Sequence, residues 1–386
     1  MIFELTESQR ILKDTLSRFC QDKLAPVAEE IDRKDEFPDW LWSSLAELGL
    51  LGLTIPEEYG GAGADILSAV IVMEELSKVS PAVALSWMAH TILCAHNLYV
   101  HSNPSQREKY LPDLCAGKKI GAMALTEPEA GSDAVGIRTT AIKKGDVYIL
   151  NGTKTFITNA PIADIFLLYA KTDKEKGAKG ITAFIVERTF PGFSAGKKLE
   201  KMGHRGSPTG ELVMEDCQVP KENVVFGENK GIAVMMDGLD IERTVIAGGA
   251  LGVAQAALDY SIQYARERKQ FGEPIGKFQF IQDKIARMYA QLESSRLLVY
   301  KSAVVADRSE RGGKGTELHR LSASAAYWAS EVAVQASLEA IQIFGGYGYT
   351  LEYPVNRLLR DAKLYTIGAG TNEIRKMIIA RELLGF

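Results

Sequence analysis

Apolar residues recur every three or four positions through the first 118 residues, and this period predicts an all-helical N-terminal segment. Thr6 and Gln9 have the spacing of a capping box, so the first helix is expected to begin there. Breaks are expected at Pro26, at Pro56 with the glycines that follow it, and at Pro81, because proline and glycine interrupt regular structure.

The pattern changes to β-rich runs near residue 120. An Asn151-Gly152 pair lies between two such runs within residues 147–159, and it predicts a tight hairpin turn. Three further β-rich segments follow, separated by turns rich in Gly, Pro and Lys: ADIFLLYAKTD, GITAFIVER and GELVMEDCQVP. We therefore expect a small β domain over residues 120–230.

The helical period returns after residue 230. Helices are predicted over 233–267, 277–308 and 317–343, with a last one after Thr371. The third is rich in Ala, Ser and Val, which suits close packing in a bundle core. The sequence thus predicts an α+β fold of three domains: an all-helical N-terminal domain (1–119), a middle β domain (120–230) and a C-terminal four-helix bundle (231–386).

The composition mainly argues against certain classes of protein and certain kinds of site. The chain is 46% hydrophobic and 24% charged, as is usual for globular proteins, and no apolar run has the length of a membrane span. The net charge of −4 includes no strong basic block, which argues against nucleic acid as a partner. The cysteines and histidines lack the spacing of a disulfide framework or a metal site. Because the N-terminal segment looks like neither a signal nor a transit peptide, we expect a cytoplasmic protein.

Several common active-site motifs are missing from the chain. No GxGxxG follows a strand, and neither GxxxxGK[ST] nor GxSxG occurs, which argues against a Rossmann site, a P-loop and a hydrolase nucleophile. Three glycine-rich polar stretches remain: ALTEPEAGSDAVG, QIFGGYGYT and TIGAGTNEI. In the last, Gly368, Ala369 and Gly370 form a loop that lets a ligand approach the backbone but holds no acid or base. Thr371 is expected to cap the next helix.

These stretches belong to six segments that resemble, in order and spacing, the acyl-CoA dehydrogenase family of FAD-dependent enzymes. The segments are PEEYGG (56–61), TEPEAGSD (126–133), TFITN (155–159), RKQFGEPIGKFQ (268–279), QIFGGYGY (342–349) and RLLRDAKLYTIGAGTNEI (357–374). The resemblance covers essentially the whole chain. It implies oxidation of an acyl-CoA thioester to a 2-enoyl-CoA, in the degradation of fatty or amino acids, and the same three-domain layout.

The resemblance also assigns the catalytic base. Ala369 occupies the position at which many members carry the glutamate that removes the substrate's α-proton. The isovaleryl-CoA dehydrogenase branch has the same Gly-Ala-Gly-Thr loop and takes its base from a Leu-Asp-Leu-Glu-Arg stretch, which matches GLDIER here and points to Glu242. Without the resemblance, Glu242 is more simply a surface carboxylate beside Arg243. Between an acyl pocket and a flavin, burial should raise its pKa and suit it to act near neutral pH.

By resemblance, Glu242 takes the α-proton while the β-hydrogen leaves as hydride to flavin N5. The Ala369 N–H and a ribityl hydroxyl of FAD hold the developing enolate oxygen. Phe156 stacks on the flavin ring, Thr126 is a polar partner of the ring, and Thr158 bonds near N5. The implied FAD contacts are Met123, Leu125, Thr126, Gly131, Ser132, Phe156, Ile157, Thr158, Arg268, Phe271, Gln279, Gln342, Gly345, Gly346, Thr371, Asn372 and Glu373, of which Arg268, Gln279 and the run from Gln342 to Gly346 reach the FAD of a neighbouring subunit. The implied substrate contacts are Ser132, Asp240, Arg243, Gly368, Ala369 and Gly370.

The substrate and partners follow from the same comparison. Gly368 replaces a bulky tyrosine of straight-chain relatives, so a short branched or cyclic acyl group is expected, isovaleryl being the nearest analogue. A glutaryl chain would need an arginine, whereas the segment that resembles the acyl-pocket helix, 82–100, offers only His90 and His96, and His90 is interpreted as a core histidine. Shared cofactor contacts imply a homotetramer, a dimer of dimers, and the family's electron acceptor is electron-transferring flavoprotein.

Two alternatives stay open at this point. The missing loop glutamate is compatible with a non-catalytic flavin or acyl-CoA binding or assembly protein of the same fold. An acyl-CoA oxidase-like relative, which passes its electrons to oxygen, is the other.

Overall fold

The N-terminal part of the chain is helical, as predicted. The computed structural model describes residues 4–308 and 312–385. Thr6 caps the first helix in a capping box with Gln9, which confirms the predicted start. The helices are α1 (Glu7–Phe19), α2 (Ala25–Lys34), α3 (Trp40–Glu47), α4 (Ile66–Ser77), α5 (Pro81–Met88), α6 (Asn97–His101) and α7 (Pro104–Cys115).

Pro26 does not break the helix, contrary to the prediction. α1 and α2 are joined by a π-helical turn, Cys20–Leu24, and the chain stays helical throughout. Pro26 lies in the first turn of α2, where a missing N–H is tolerated. A second π-helical stretch, Ala89–His96, joins α5 to α6. The break at Pro81 is confirmed, since that residue opens α5 after the N-cap Ser80.

The middle of the chain forms one eight-stranded, mixed sheet. Its strands are β1 (Gly121–Ala124), β2 (Thr140–Lys144), β3 (Val147–Thr158), β4 (Ile165–Lys171), β5 (Ile181–Glu187), β6 (Phe193–Lys198), β7 (Thr209–Pro220) and β8 (Val224–Val225). The strand order is β6-β7-β3-β2-β4-β5-β8, and β1 pairs in parallel with β4. The three β-rich segments predicted after residue 159 are β4, β5 and β7.

The hairpin turn predicted at Asn151-Gly152 is wrong. β3 runs through this pair, and a register shift against β7 marks a β-bulge there. The actual turn is Gly145-Asp146, which joins β2 to β3. A Cβ on Gly152 would lie 2.5 Å from Thr139 Oγ1, so glycine is required here by a close approach of chains and not by a turn.

Among the described residues, the C-terminal part contains five helices and a short hairpin. They are α8 (Gly231–Glu267), β9 (Lys269–Gln270), β10 (Glu273–Pro274), α9 (Gln279–Arg308), α10 (Glu317–Phe344), α11 (Val355–Tyr365) and α12 (Asn372–Leu384). The sequence predicted four of these helices and missed α11, which lies directly before the glycine-rich loop. Short 3₁₀ turns complete the structure at Glu57–Tyr59, Gly177–Gly180, Lys221–Asn223, Ile275–Lys277 and Gly345–Tyr349.

Helix α8 lies at the centre of the molecule and packs against α4, α9 and α10. By length and hydropathy it could cross a membrane, but 78% of its most apolar window is buried inside the protein, as in a core helix. The order of helices, sheet and helices confirms the α+β, three-part fold. The predicted boundaries at 119/120 and 230/231 stay predictions, and residues 1–3, 309–311 and 386 lie outside the described part.

Candidate active site

Glu242 lies on α8 and is only 6% exposed. Its Oε2 is buried and has no hydrogen-bond partner, although buried polar atoms are normally paired. Burial raises the pKa of this carboxyl to about 7, against the opposing effect of the cations Arg243 and Arg375. A carboxyl with a free oxygen and a pKa near neutrality can accept a proton from a bound ligand.

The two arginines connect α8 to the glycine-rich loop. Arg243 Nε donates to the Ala369 carbonyl at 3.3 Å. Arg375, fully buried on α12, donates to the Gly368 carbonyl. Because a trans peptide is planar, fixing the Gly368 carbonyl also fixes the direction of the Ala369 N–H. The structure thus brings the helix of Glu242 and the loop together.

The loop itself is strained and capped. Ala369 has a φ of 57°, in the left-handed region that costs a residue with a Cβ about 1 kcal/mol or more. Gly370 has a φ of 89°. Thr371 caps α12 by accepting the Ile374 N–H, as predicted, and Glu373 lies exposed in the first turn. The arginine contacts hold the loop in this conformation.

Three predicted contacts use their side chains inside the protein. Asp240 is fully buried, and its carboxylate accepts hydrogen bonds from Arg243 and from three other groups. Asn372 is buried and bonds side chains of α10 and α12. Ile157 packs in the hydrophobic core. These side chains point inward and not toward a ligand.

Phe156 has the features of a ligand-facing residue. It is 68% exposed and has a φ of 57°, beside a bulge in β3. An exposed aromatic ring in a strained conformation is explained when a flat ring covers it. The Thr155 N–H donates to the Thr126 carbonyl at 2.9 Å, so Thr126 lies close to Phe156 and Thr158. These residues fit the isoalloxazine ring of FAD.

The predicted FAD contacts between Met123 and Ser132 differ in how exposed they are. Met123 is half-buried, whereas Leu125 is buried in the core. Gly131 and Ser132 are exposed, and a Cβ on Gly131 would meet no atom within 4 Å. An open glycine of this kind leaves space for a ligand beside the backbone.

Sequence reasoning missed a buried ion pair behind this segment. Lys154 has no exposed surface, and its Nζ donates to the Leu125 carbonyl at 2.9 Å and to Glu127 Oε1 at 2.8 Å. Burial lowers the pKa of Lys154 to about 8, against the effect of Glu127, so the pair is ionised at pH 7. Strand alternation places Lys154 on the same face as the buried Tyr148 and Leu150, and the register shift after Lys154 turns Phe156 to the exposed face.

The remaining predicted FAD contacts lie on an exposed face. They are Arg268, Phe271, Gln279, Gln342, Gly345 and Gly346, from the hairpin region, the start of α9 and the end of α10. The Arg268 guanidinium lies 5.6 Å from the centroid of the Tyr347 ring, which links the hairpin region to the end of α10. Phe271 is 93% exposed and Phe280 is 87% exposed. Exposure of large apolar side chains on one face is typical of a surface that another molecule covers.

His90 is a satisfied core histidine, as interpreted from the sequence. Its Nδ1 accepts the Gly121 N–H at 2.9 Å and its Nε2 donates to the Leu114 carbonyl at 3.1 Å. Burial lowers the pKa of His90 to about 4, and burial does the same to His96. Both are therefore neutral at pH 7, and neither supplies a cation for a distal carboxylate.

Comparisons with known proteins identify one family over nearly the whole chain. The acyl-CoA dehydrogenase N-terminal, middle and C-terminal domains match residues 6–118, 122–217 and 229–384. The mitochondrial isovaleryl-CoA dehydrogenase of Pongo abelii is 50% identical over 381 residues, which cover 98% of this chain and 89% of that protein.

Solved structures show the same likeness. Butyryl-CoA dehydrogenase from Megasphaera elsdenii matches with a TM-score of 0.96 and 44% identity, over 100% of both chains. The FAD complex of PigA matches with a TM-score of 0.94 and 34% identity, over 99% of each chain. The family and this complex imply FAD as the cofactor. The chain belongs to the acyl-CoA dehydrogenase family.

Proposed function

We propose that this chain oxidises a short, branched or cyclic acyl-CoA to its 2-enoyl-CoA, with Glu242 as the base. The observation that carries the proposal is the buried, unpartnered Oε2 of Glu242, on a helix hydrogen-bonded to the Ala369 loop. A pKa near 7 leaves a large fraction of this carboxyl ionised at neutral pH.

In this proposal the loop supplies a backbone donor. The Ala369 N–H stabilises the thioester oxygen as negative charge develops there, and Arg375 and Arg243 keep the two flanking peptide groups in place. Glu242 takes the α-proton onto its carboxylate. FAD, when bound, would accept the β-hydrogen as hydride. This division explains why the loop needs no side chain of its own.

Gly368 is proposed to set the acyl specificity. A Cβ at this position would meet Leu364 and Ile246 only at ordinary contact distances of 3.6–3.9 Å, so the glycine is not required for packing. The space that a larger side chain would fill is then available to a branched or cyclic acyl group. The name of the relative from Pongo abelii, isovaleryl-CoA dehydrogenase, supports a branched substrate.

The exposed face with Phe271 and Phe280 supports the predicted oligomer. We propose that a second copy covers this face in a homotetramer, and that Arg268, Gln279 and the run from Gln342 to Gly346 complete the partner's FAD site. Electron-transferring flavoprotein is the proposed electron acceptor, in keeping with the family. The cytoplasmic location also stays a prediction.

Anaerobic titration of the FAD-loaded protein with acyl-CoA thioesters tests the proposal. The panel would contain butyryl, isovaleryl, 2-methylbutyryl, cyclohexanecarboxyl and glutaryl thioesters, with the flavin absorbance band as the signal. We expect branched or cyclic thioesters to bleach the flavin most strongly and glutaryl-CoA least. Spectral binding without bleaching by any thioester would favour the non-catalytic alternative. Peroxide formation in air without an added acceptor would favour the oxidase.

A further inference from the structure

The carboxylate of Asp240 gathers four donors from three parts of the bundle. Arg243 Nη1 lies 3.0 Å from its Oδ1, and Ser322 Oγ lies 3.1 Å from the same atom. The Gly313 N–H donates to Oδ2 at 2.7 Å. His319 Nδ1 lies 2.9 Å from Oδ1 and 3.1 Å from Oδ2. A fully buried carboxylate with this many donors is fixed in place.

Asp240 in turn fixes Arg243. The guanidinium uses Nη1 on Asp240 and Nε on the Ala369 carbonyl, so the two contacts set its plane. Its Nη2 lies 3.9 Å from the position that a Cβ on Gly370 would take. The loop is therefore in contact with a guanidinium whose position depends on Asp240.

His319 is itself anchored at the start of α10. Its backbone N–H donates to Oγ1 of the N-cap residue Thr316 at 3.1 Å, and its ring is buried. Because this first turn is capped, the backbone from which the His319 imidazole extends is held in place. A continuous series of contacts then runs from α10 through Asp240 and Arg243 to the Ala369 loop.

We propose that His319 is a positioning residue for the reaction: through Asp240 it orients Arg243, and through Arg243 it holds the Ala369 loop opposite Glu242. This inference rests on the proposed function. His319 contacts no reacting atom; it acts through two other residues. It was not predicted from the sequence, since no motif marks it.

Two substitutions of His319 distinguish a positioning role from a role in packing alone. His319→Asn keeps an N–H donor near the position of Nδ1, whereas His319→Ala removes it. Ser324→Ala is the matched control, because Ser324 lies on the same helix and its hydroxyl donates to the Arg320 carbonyl, away from Asp240. Each variant would be purified with FAD, and its melting temperature and flavin spectrum would be compared with those of the parent.

The kinetic readouts are kcat, KM and the pH dependence of kcat/KM with the best thioester of the panel. In His319→Ala we expect kcat to fall about tenfold to a hundredfold, as for a displaced catalytic group, with a smaller change in KM. The charged groups that affect the Glu242 carboxyl are Arg243 and Arg375. If Arg243 moves away, the acid limb of kcat/KM shifts to higher pH. His319→Asn should recover most of both effects, and Ser324→Ala should match the parent.

Amide hydrogen exchange across residues 366–371 gives a readout that needs no turnover. His319→Ala should speed exchange there, and His319→Asn should not. Equal exchange in all variants, or equal losses in the Ala and Asn variants, would overturn the positioning role. Failure of the parent protein to bleach with any thioester would instead overturn the proposed function, while the exchange measurement would still decide the role of His319.

Discussion

The two halves of the site differ in how much of their structure one chain supplies. The substrate half, made of Glu242, Arg243, Arg375 and the loop 368–370, is mostly buried, and its arginines and loop carbonyls are joined by hydrogen bonds. The cofactor half presents Phe156 to the surface, and its contacts Arg268, Phe271, Gln279 and Gln342 are also exposed. In the proposed function, proton transfer is thus organised within the chain, whereas cofactor binding would also need contacts from a neighbouring molecule.

Burial explains this difference. A base whose pKa is raised by desolvation needs a site shielded from water, and the packed interior of the bundle provides such a site. A cofactor as large as FAD needs an open surface to enter. The strain at Ala369 is held by buried arginines, while the strain at Phe156 has no comparable support among the contacts of its exposed ring. The following predictions test this contrast, from the largest expected effect to the smallest.

Glu242→Gln should abolish proton abstraction and leave the cofactor half intact. We expect kcat to fall by about 10²–10⁴, the usual contribution of a general base, with unchanged FAD content. Stopped-flow bleaching of the flavin measures this. Bleaching at the parent rate would remove Glu242 from the base role.

Lys154→Met should affect the cofactor half instead. The variant loses the hydrogen bond to the Leu125 carbonyl and leaves Glu127 buried without its cation, a loss on the order of 2–3 kcal/mol that we expect to appear mostly as weaker FAD binding. Reconstitution of the apoprotein, followed by flavin fluorescence, would give the Kd. The double variant with Glu127→Gln is the control: it should recover part of the affinity, and no recovery would exclude the charge as the cause.

The pH profile should report the raised pKa of Glu242. Since the base works as a carboxylate, kcat/KM should rise with pH and level off above about 7, and at pH 6 it should be about a tenth of the plateau. The same shift affects stability: the folded state binds this proton more tightly than the unfolded state, so ionisation between pH 4.5 and 7 destabilises the fold. Glu242→Gln should therefore raise the melting temperature more at pH 8 than at pH 5. A profile with its midpoint below pH 5 would contradict the buried environment.

Gly368→Val should narrow the proposed acyl pocket, and we expect its effect on activity to be the smallest of the four. We expect the ratio of kcat/KM for branched over straight short thioesters to fall about tenfold, in the range that one or two methyl groups produce in a pocket. FAD content should not change, because this residue lies in the substrate half. An equal loss for both thioesters would show that the substitution disturbs the loop and not the acyl site.

Much of the fold could be read from the sequence because its signals are local. The capping box at Thr6, the helical periods of α8, α9 and α10, and the cap at Thr371 depend on neighbouring residues, and each was confirmed. The errors at Asn151-Gly152 and Pro26 arose where partners distant along the chain, or a π turn, outweigh local propensity. For the site, the glycines of the sequence pointed to the loop directly, whereas Glu242 was indicated only through resemblance to a family.

The sequence by itself determined which residues are available: a loop without an acid or base, two carboxylates in GLDIER, and glycine where a larger side chain could stand. The tertiary structure alone decided which carboxylate is left without a partner and which is saturated. Asp240 and Glu242 are two residues apart on one helix, yet the first accepts four donors and the second has a free oxygen. The reason is that donors from α10 and the loop before it reach only one side of α8, and no local pattern records that contact.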